Sequence, residues 1–309
     1  MNRILITPRS FGKHSDEAFR LIEEKGYSIV LNDTGGIMGE EALKEAIAGC
    51  DGAIIGVDPL NAEVMRRAPG LRAVAKYGVG TDNIDTGYCE NHGIRVSKTI
   101  GANSEAVADY AFALILALAR KVLLIDSECR RGNWKKITAT DVSGRTLGLI
   151  GLGAVGKNMV RRAKGFSMHI LAYNRNWNEG FAEAEGVERA EIDDIVKRSD
   201  FLSLHLPLNP GTEKIIDARR IEMMKPNAFL INTARGGLVD DEALLSALKN
   251  GSIGGAGLDV FGKEPPDDVS WYALDNVVIG SHCAASTEGA ADRMSIRSAE
   301  NLIRDLENE

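Results

Sequence analysis

The chain contains few cysteines, and none of them is paired in the sequence. Only four occur in 309 residues, and none belongs to a CxxC motif: Cys50, Cys89, Cys129 and Cys283. Scattered single cysteines are typical of a reducing compartment and provide neither a disulfide framework nor a zinc site. We therefore predict a cytoplasmic protein without a metal site.

Basic stretches and long apolar runs are also missing. The formal net charge is -7, and no basic stripe is available to follow a nucleic-acid backbone. The longest apolar run, residues 110–119, ends at Arg120, well short of the ~20 residues that span a bilayer. The first residues break at Pro8, unlike a signal peptide. These absences predict neither a nucleic-acid nor a membrane partner.

Short apolar segments alternate with polar, periodic ones along most of the chain. The first hundred residues predict strands at 3–8, 28–31, 53–56, 73–75 and 94–96, with helices at 16–25, 40–48 and 61–67. A long apolar helix is predicted from 104 to 130, buried between domains or subunits. Residues 146–283 then repeat the strand–helix alternation, and a final helix, 287–306, is predicted to return to the first unit. This pattern is typical of α/β folds with doubly wound parallel sheets.

A glycine-rich turn follows the first strand of the second unit. Residues 147–156 read LGLIGLGAVG, which places Gly151, Gly153 and Gly156 in GxGxxG spacing, with Ala154 and Val155 between them. The first glycine allows a tight turn, the second a close approach to a pyrophosphate, and the third helix–strand packing. The strand before it and the helix after it supply the context that a dinucleotide site requires.

Three chemically active side chains follow predicted strands of the second unit. They are Arg235, Glu264 and His282. A guanidinium grips a carboxylate, an imidazole donates protons near neutral pH, and a neighbouring carboxylate orients the imidazole and stabilises its charged form. Taken singly, they could instead be a surface charge, a turn residue and a buried structural histidine. Together at the ligand-binding edge of a sheet, they favour hydride transfer at a carbonyl or alcohol carbon.

These motifs resemble the D-isomer-specific 2-hydroxyacid dehydrogenase family, in its phosphoglycerate dehydrogenase-like branch without a regulatory domain. The resemblance covers essentially the whole chain, and its motifs are GLGAVG at 151–156, INTARGGLVD at 231–240, GLDVFGKEP at 257–265 and SHCAAST at 281–287. KYGVG at 76–80 resembles the loop that holds the substrate carboxylate, and GANSEAVAD at 101–109 resembles the segment that opens the interdomain helix. The resemblance implies a flavodoxin-like substrate domain, residues 1–99 plus 286–309, with a Rossmann-type dinucleotide-binding domain, residues 100–285, inserted into it.

The resemblance also implies roles for individual residues. His282 would be the acid/base, Glu264 its partner, and Arg235 the arginine that binds substrate. The backbone amides of Val79 and Gly80 would hold the substrate carboxylate. The implied cofactor contacts beyond the glycine loop are Asn174, Arg175, His205, Pro207, Thr233, Ala234 and Asp259. For His205 a purely structural role is the alternative, and for Asp259 a capping role.

One position departs from the usual dinucleotide fingerprint. An acidic residue is expected where the second strand ends, but Asn174 and Arg175 stand there. Arg175 could pair with a 2′-phosphate, so we predict NADP rather than NAD. Alternatively, Arg175 faces solvent or stacks on adenine and the enzyme accepts NAD.

The sequence leaves the substrate and the competing functions open. Glyoxylate, hydroxypyruvate, another short 2-oxo acid and 3-phosphoglycerate all fit; Lys76, Lys135 and Lys136 are the candidates for a substrate phosphate. A weakly active NAD(P)-sensing regulator of the same fold is the alternative function, and a methyltransferase fits the three strand-end residues poorly. We also expect a homodimer built on the apolar helix near 104–125.

Overall fold

A computed structural model describes residues 2–307. Met1, Asn308 and Glu309, which belong to the predicted substrate domain, lie outside the described residues. The chain divides into two compact units, one formed by Met1–Asn103 with Ser286–Glu309 and the other by Ser104–Ala285. Within the described residues, no helix is both long and apolar enough to cross a membrane.

The first unit is a five-stranded parallel sheet. Its strands have the order β2-β1-β3-β4-β5, and each pairs in parallel with its neighbours. This is the flavodoxin-like order. Up to residue 98 its elements are β1 (Arg3–Ile6), α1 (Glu17–Glu24), β2 (Ser28–Leu31), α2 (Glu40–Ile47), β3 (Gly52–Ile55), α3 (Ala62–Met65), β4 (Ala73–Lys76), α4 (Thr86–Asn91) and β5 (Arg95–Lys98).

The second unit contains a seven-stranded parallel sheet. Its α-helices and strands are α5 (Ser104–Ala119), α6 (Val122–Arg130), β6 (Thr146–Ile150), α7 (Ala154–Gly165), β7 (His169–Tyr173), α8 (Glu179–Glu185), β8 (Glu188–Arg189), α9 (Ile192–Arg198), β9 (Phe201–Leu204), α10 (Ala218–Glu222), β10 (Phe229–Asn232), α11 (Asp241–Asn250), β11 (Gly255–Leu258) and β12 (Val277–Ile279). The strands have the order β12-β11-β10-β9-β6-β7-β8. The sheet is therefore doubly wound, with β6 in its middle, as in Rossmann-type folds. The predicted fold class is confirmed.

A last helix, α12 (Glu288–Glu307), completes the first unit. Its apolar face packs Ala299, Leu302, Ile303 and Leu306 into the same core as Ile4 and Ile6 of β1. The first unit is therefore discontinuous in sequence. Burial of this face supplies part of the core that the short strands alone would leave exposed to water.

The predicted long helix 104–130 is wrong in one respect, because it is two helices. α5 ends at Ala119, and Lys121 adopts a left-handed backbone conformation with φ of 50° before α6 begins. α5 packs within its own unit, against β10, β11 and β12 and beside α7. α6 buries none of its residues in this structure.

Candidate active site

The glycine turn after β6 is shaped by two close approaches and one open face. Gly151 has φ of 109°, and a Cβ there would lie 2.5 Å from the carbonyl oxygen of His205. A Cβ at Gly156 would lie 2.2 Å from the carbonyl oxygen of Gly151. At Gly153, in contrast, no other atom of the described chain lies within 4 Å of an added Cβ. The first and third glycines are thus needed for packing, whereas the second leaves a surface uncovered.

This uncovered surface fits a dinucleotide. It lies at the N-terminus of α7, a helix of 12 residues that begins at Ala154 and Val155 and whose first N–H groups and dipole favour a phosphate. Thr233, directly after β10, is 9% exposed, and its hydroxyl has no hydrogen-bond partner among the described residues. A buried hydroxyl without a partner is costly, so it favours a ligand that completes its hydrogen bonding.

Asn174 connects the end of β7 to the glycine turn. Its Oδ1 accepts a hydrogen bond of 3.1 Å from the N–H of Leu152, and its Nδ2 donates to the carbonyl of Asn176 at 2.6 Å. The next side chain, Arg175, is exposed. Asn174 therefore has a structural task in the turn, and Arg175 is the cation placed at the strand end.

His205 borders the glycine turn through its main chain. It follows β9 and donates its N–H to the carbonyl of Ile150 at 2.8 Å. Its Nε2 lies 3.0 Å from the Ser203 hydroxyl, and burial lowers the pKa of the ring to about 4. The imidazole is therefore neutral near pH 7. Pro207 is exposed two residues later, where its carbonyl accepts a hydrogen bond from Thr212.

Glu264 and His282 form a direct pair. His282 Nδ1 lies 2.8 Å from Glu264 Oε2, and the two side chains are 48% and 38% exposed. Glu264 Oε1 accepts a hydrogen bond of 3.2 Å from the N–H of Phe261. Because an ionised carboxylate only accepts, the pairing assigns a proton to Nδ1 and leaves Nε2 of His282 for exchange with a ligand.

Asp259 holds the loop that carries His282. Its two carboxylate oxygens accept hydrogen bonds from the N–H groups of Cys283 at 2.9 Å and Ala284 at 2.8 Å. The aspartate is 1% exposed, and His282 adopts a left-handed φ of 58°. A Cβ at Gly280 would lie 2.2 Å from Asp259 Oδ1. Asp259 thus caps the loop, which the sequence offered as the alternative to a cofactor contact.

Arg235 lies on a turn that a buried asparagine stabilises. Asn232, the last residue of β10, is 1% exposed; its Nδ2 donates to the carbonyl of Arg235 at 2.8 Å, and its Oδ1 accepts from the N–H of Ala234 at 3.1 Å. Sequence reasoning missed this asparagine, although its place at the end of a buried strand was visible. Next to the turn, a Cβ at Gly236 would lie 1.9 Å from the carbonyl carbon of Phe261. The Arg235 turn and the loop leading to Glu264 are therefore packed together.

The second unit thus brings Arg235, Glu264, His282 and Asp259 to the edge where β10, β11 and β12 end. Val79 and Gly80 belong to the first unit, on the loop after β4; Val79 is 44% exposed and Gly80 is partly exposed. Among the described residues no group of three or more His, Cys, Asp or Glu could hold a metal ion.

Comparison with known proteins identifies the family. Residues 112–284 match the model of the D-isomer specific 2-hydroxyacid dehydrogenase, NAD binding domain. A glyoxylate reductase of Korarchaeum cryptofilum is 43% identical over 85% of this chain and 82% of its own length. A D-3-phosphoglycerate dehydrogenase of Methanocaldococcus jannaschii is 39% identical over 95% of this chain but only 56% of its own length.

A solved structure is similar over nearly the whole chain. The crystal structure of the TT0316 protein from Thermus thermophilus has a TM-score of 0.89 and 36% identity, and the match covers 99% of this chain and 97% of that one. The chain therefore belongs to the D-isomer specific 2-hydroxyacid dehydrogenase family and is an oxidoreductase that transfers hydride between a nicotinamide cofactor and a 2-hydroxy or 2-oxo acid.

Proposed function

We propose that the enzyme reduces a short, unphosphorylated 2-oxo acid, with glyoxylate as the first candidate, and uses NADPH. The observation that carries the proposal is the 2.8 Å pair of Glu264 and His282, on the sheet edge that also carries Arg235 and in the unit that contains the glycine turn. The similarity to a glyoxylate reductase supports this choice of substrate. We assign dinucleotide binding to Ser104–Ala285, substrate binding to the other unit, and the protein to the cytoplasm.

His282 is the proton donor in this proposal. Its Nδ1–H donates to Glu264, whose negative charge stabilises the imidazolium, and its Nε2–H is transferred to the ketone oxygen. A bound reduced nicotinamide supplies the hydride that C2 receives. The balance is one 2-oxo acid, one NADPH and one proton giving one 2-hydroxy acid and one NADP⁺.

Arg235 binds and orients the substrate. Its guanidinium can pair with the carboxylate and polarise the adjacent ketone, which stabilises negative charge as it develops on oxygen. The N–H groups of Val79 and Gly80, on the loop after β4, are assigned to carboxylate binding. Asp259 contributes by fixing the His282 loop, and Thr233 and Ala234 line the cofactor with His205 and Pro207.

The positions of the three lysines that could bind a substrate phosphate favour an unphosphorylated substrate over 3-phosphoglycerate. Lys76 is 6% exposed, and its ammonium group donates hydrogen bonds to the carbonyl of Gly56 and to Asn83 Oδ1. Lys135 and Lys136 are exposed in the segment after α6, where a lysine is ordinarily solvated. A substrate phosphate would thus have to compete with internal partners for the buried lysine.

Arg175 is proposed to select NADP. It is the exposed cation next to Asn174, where a carboxylate would otherwise accept from the ribose hydroxyls. A 2′-phosphate there would gain an arginine partner, whereas NAD would gain neither the arginine pairing nor a carboxylate acceptor.

The deciding experiment is a panel of 2-oxo acids assayed with NADPH and with NADH. Glyoxylate with NADPH is expected to give the highest kcat/KM, and Arg175→Ala to lower kcat/KM for NADPH about 10- to 100-fold while leaving NADH little changed. Arg198→Ala, which removes an exposed arginine paired with Glu188, is the matched control. A wild-type preference for NADH would reject the cofactor assignment. Tight cofactor binding without turnover of any acid would favour the nucleotide-sensing regulator.

We also propose a homodimer built on the segment near 104–125, through the start of α6. Val122 and Leu123 are 51% and 56% exposed. Two adjacent exposed apolar side chains are candidates for burial against a second copy of the chain. Light scattering should give the mass of two chains, and Leu123→Asp should shift it toward one; a monomeric wild type would reject the dimer.

A further inference from the structure

Lys76 is a buried lysine at the end of β4, beneath the loop that contains Val79 and Gly80. It is 6% exposed, and its Nζ donates hydrogen bonds to the carbonyl of Gly56, just after β3, and to Asn83 Oδ1 at 2.8 Å. One side chain thus connects the end of a neighbouring strand with the far end of the loop. The exposed loop residues lie between these two attachments.

Both ends of this loop are held by polar side chains, a buried one, Thr99, at the start and a partly buried one, Asn83, at the end. At its start, the N–H of Gly78 donates to the Thr99 hydroxyl at 2.8 Å, and the N–H of Thr99 returns a hydrogen bond of 2.9 Å to the carbonyl of Gly78. At its end, Asn83 Nδ2 donates to the carbonyl oxygens of Asp58 at 2.6 Å and Gly56 at 3.0 Å. These bonds at both ends restrict the conformations open to the segment between them.

The charge of Lys76 lies close to the loop backbone. A Cβ at Gly78, where φ is 127°, would lie 3.8 Å from Lys76 Cε, the carbon that carries the ammonium group. Burying an ammonium group is costly even when it is hydrogen-bonded, and an apolar side chain would fill the same space at lower cost. A cation in a poorly solvated position attracts an anion that binds nearby more strongly than a solvated one would. Its position thus suits support of an anion site.

We propose that Lys76 is a positioning residue for substrate binding: with Asn83 it sets the conformation of the loop at Val79 and Gly80, and its charge favours the carboxylate that the loop amides hold. This inference rests on the proposed function, which assigns the carboxylate to those amides. It predicts an effect on KM rather than on the chemical step, because the proton donor and the cofactor-binding turn belong to the other unit.

The test compares Lys76→Met with Lys98→Met. Lys98 is the exposed last residue of β5, in register with Lys76 across the sheet, so its variant removes the same charge from the matching position. Lys76→Met is expected to raise KM for glyoxylate about tenfold or more, while kcat stays within about threefold and the Kd for NADPH within about twofold. Lys98→Met should leave all three unchanged.

The outcomes separate the inference from the proposed function. An active wild type with the same KM in Lys76→Met, or an equal rise of KM in Lys98→Met, overturns the role of Lys76 alone. A wild type that turns over no 2-oxo acid overturns the proposed function and this inference with it. If Lys76→Met does not fold, Asn83→Ala replaces it in the test. That variant removes the acceptor on the loop side and leaves the hydrogen bond from the lysine to Gly56 in place. A rise in KM at unchanged kcat supports the inference, and an unchanged KM overturns it.

Discussion

The main-chain carbonyl of Asp259 accepts a hydrogen bond of 2.8 Å from the N–H of His282. Together with the two bonds from its carboxylate to Cys283 and Ala284, it gives the loop three successive attachments to a single residue. All three bonds join Asp259 to main-chain N–H groups and none to the imidazole. The orientation of the proposed proton donor thus depends on a buried residue that acts through the backbone of the loop.

Asp259→Asn tests this dependence. An amide can accept from only one of the two N–H groups, and its own NH₂ would face the other, so a charge-assisted bond worth about 1.5–3 kcal/mol is lost. We expect kcat for 2-oxo acid reduction to fall about 10- to 100-fold, measured at saturating substrate and cofactor. Asp268→Asn, at an exposed aspartate that accepts from the N–H of Ser270, should leave kcat unchanged. A normal kcat in Asp259→Asn would contradict the positioning role.

A double-mutant cycle tests whether Glu264 acts through His282. His282→Ala should lower kcat about 10²- to 10⁴-fold, because a general acid is lost. Glu264→Gln should lower it about tenfold, because a neutral acceptor stabilises the imidazolium less than a carboxylate does. In the His282→Ala background Glu264→Gln should have no further effect. If the two losses multiply, the carboxylate acts on something other than the histidine.

Three glycines of the cofactor turn and its helix should respond differently to alanine. Gly156→Ala places a methyl group 2.2 Å from the Gly151 carbonyl, so overpacking should destabilise the second unit by about 1–3 kcal/mol. Gly153→Ala meets no atom within 4 Å; its melting temperature should be unchanged, but the Kd for the cofactor should rise because the methyl group covers the surface assigned to the pyrophosphate.

Gly165→Ala is the control at the other end of α7. It also meets no atom within 4 Å, and it should leave both the melting temperature and the Kd nearly unchanged or raise stability slightly. Thermal unfolding and fluorescence titration distinguish the three variants. Equal effects of Gly153→Ala and Gly165→Ala on the Kd would remove the glycine turn from the cofactor site.

His205 should make the second unit sensitive to acid. Burial lowers its pKa to about 4, whereas the unfolded chain binds a proton near pH 6.5. Below pH 6.5 the unfolded state therefore takes up a proton that the folded state does not. The contribution of His205 to the free energy of unfolding is fully present above pH 6.5. It is lost as the pH decreases toward 4, by up to about 3 kcal/mol.

The measurement compares unfolding of wild type and His205→Gln between pH 7.5 and 4.5. The stability advantage of wild type should shrink as the pH falls, because glutamine does not titrate. His169→Gln, at the exposed first residue of β7, is the control. A constant difference between wild type and His205→Gln would show that the ring is not the source of the sensitivity.

The alternation of strands and helices was enough to predict every strand except β8, because the strands of a parallel sheet are mostly short apolar runs bounded by turn residues. The strand β8 was missed because its two residues, Glu188 and Arg189, are polar and exposed. The break at Lys121 was not predictable in this way, since neither glycine nor proline interrupts residues 117–125. The short helix α4 was missed, although Asp85 accepts a hydrogen bond from the N–H of Tyr88 as its N-cap and gave a usable signal.

The side chains of the candidate site could be predicted from the sequence, but the hydrogen bonds that hold them in place could not. Arg235, Glu264 and His282 could be found because each follows an apolar strand, and the structure places them on one sheet edge. The hydrogen bonds of Asn232 and Asp259 could not be predicted, because they depend on the order of the strands in the sheet and on the conformation of the turns that follow them. The catalytic and cofactor roles of these residues remain predictions.

The place of α12 in the first unit has a consequence for synthesis of the protein. The core around Ile4 and Ile6 needs Leu302 and Leu306, which a ribosome adds only after the whole of Ser104–Ala285 has been translated. The inserted unit can fold while it emerges, but the N-terminal strands must wait with apolar surface uncovered. A chain stalled or truncated before residue 288 would therefore expose that surface, and it should depend on chaperones more than the full-length protein does.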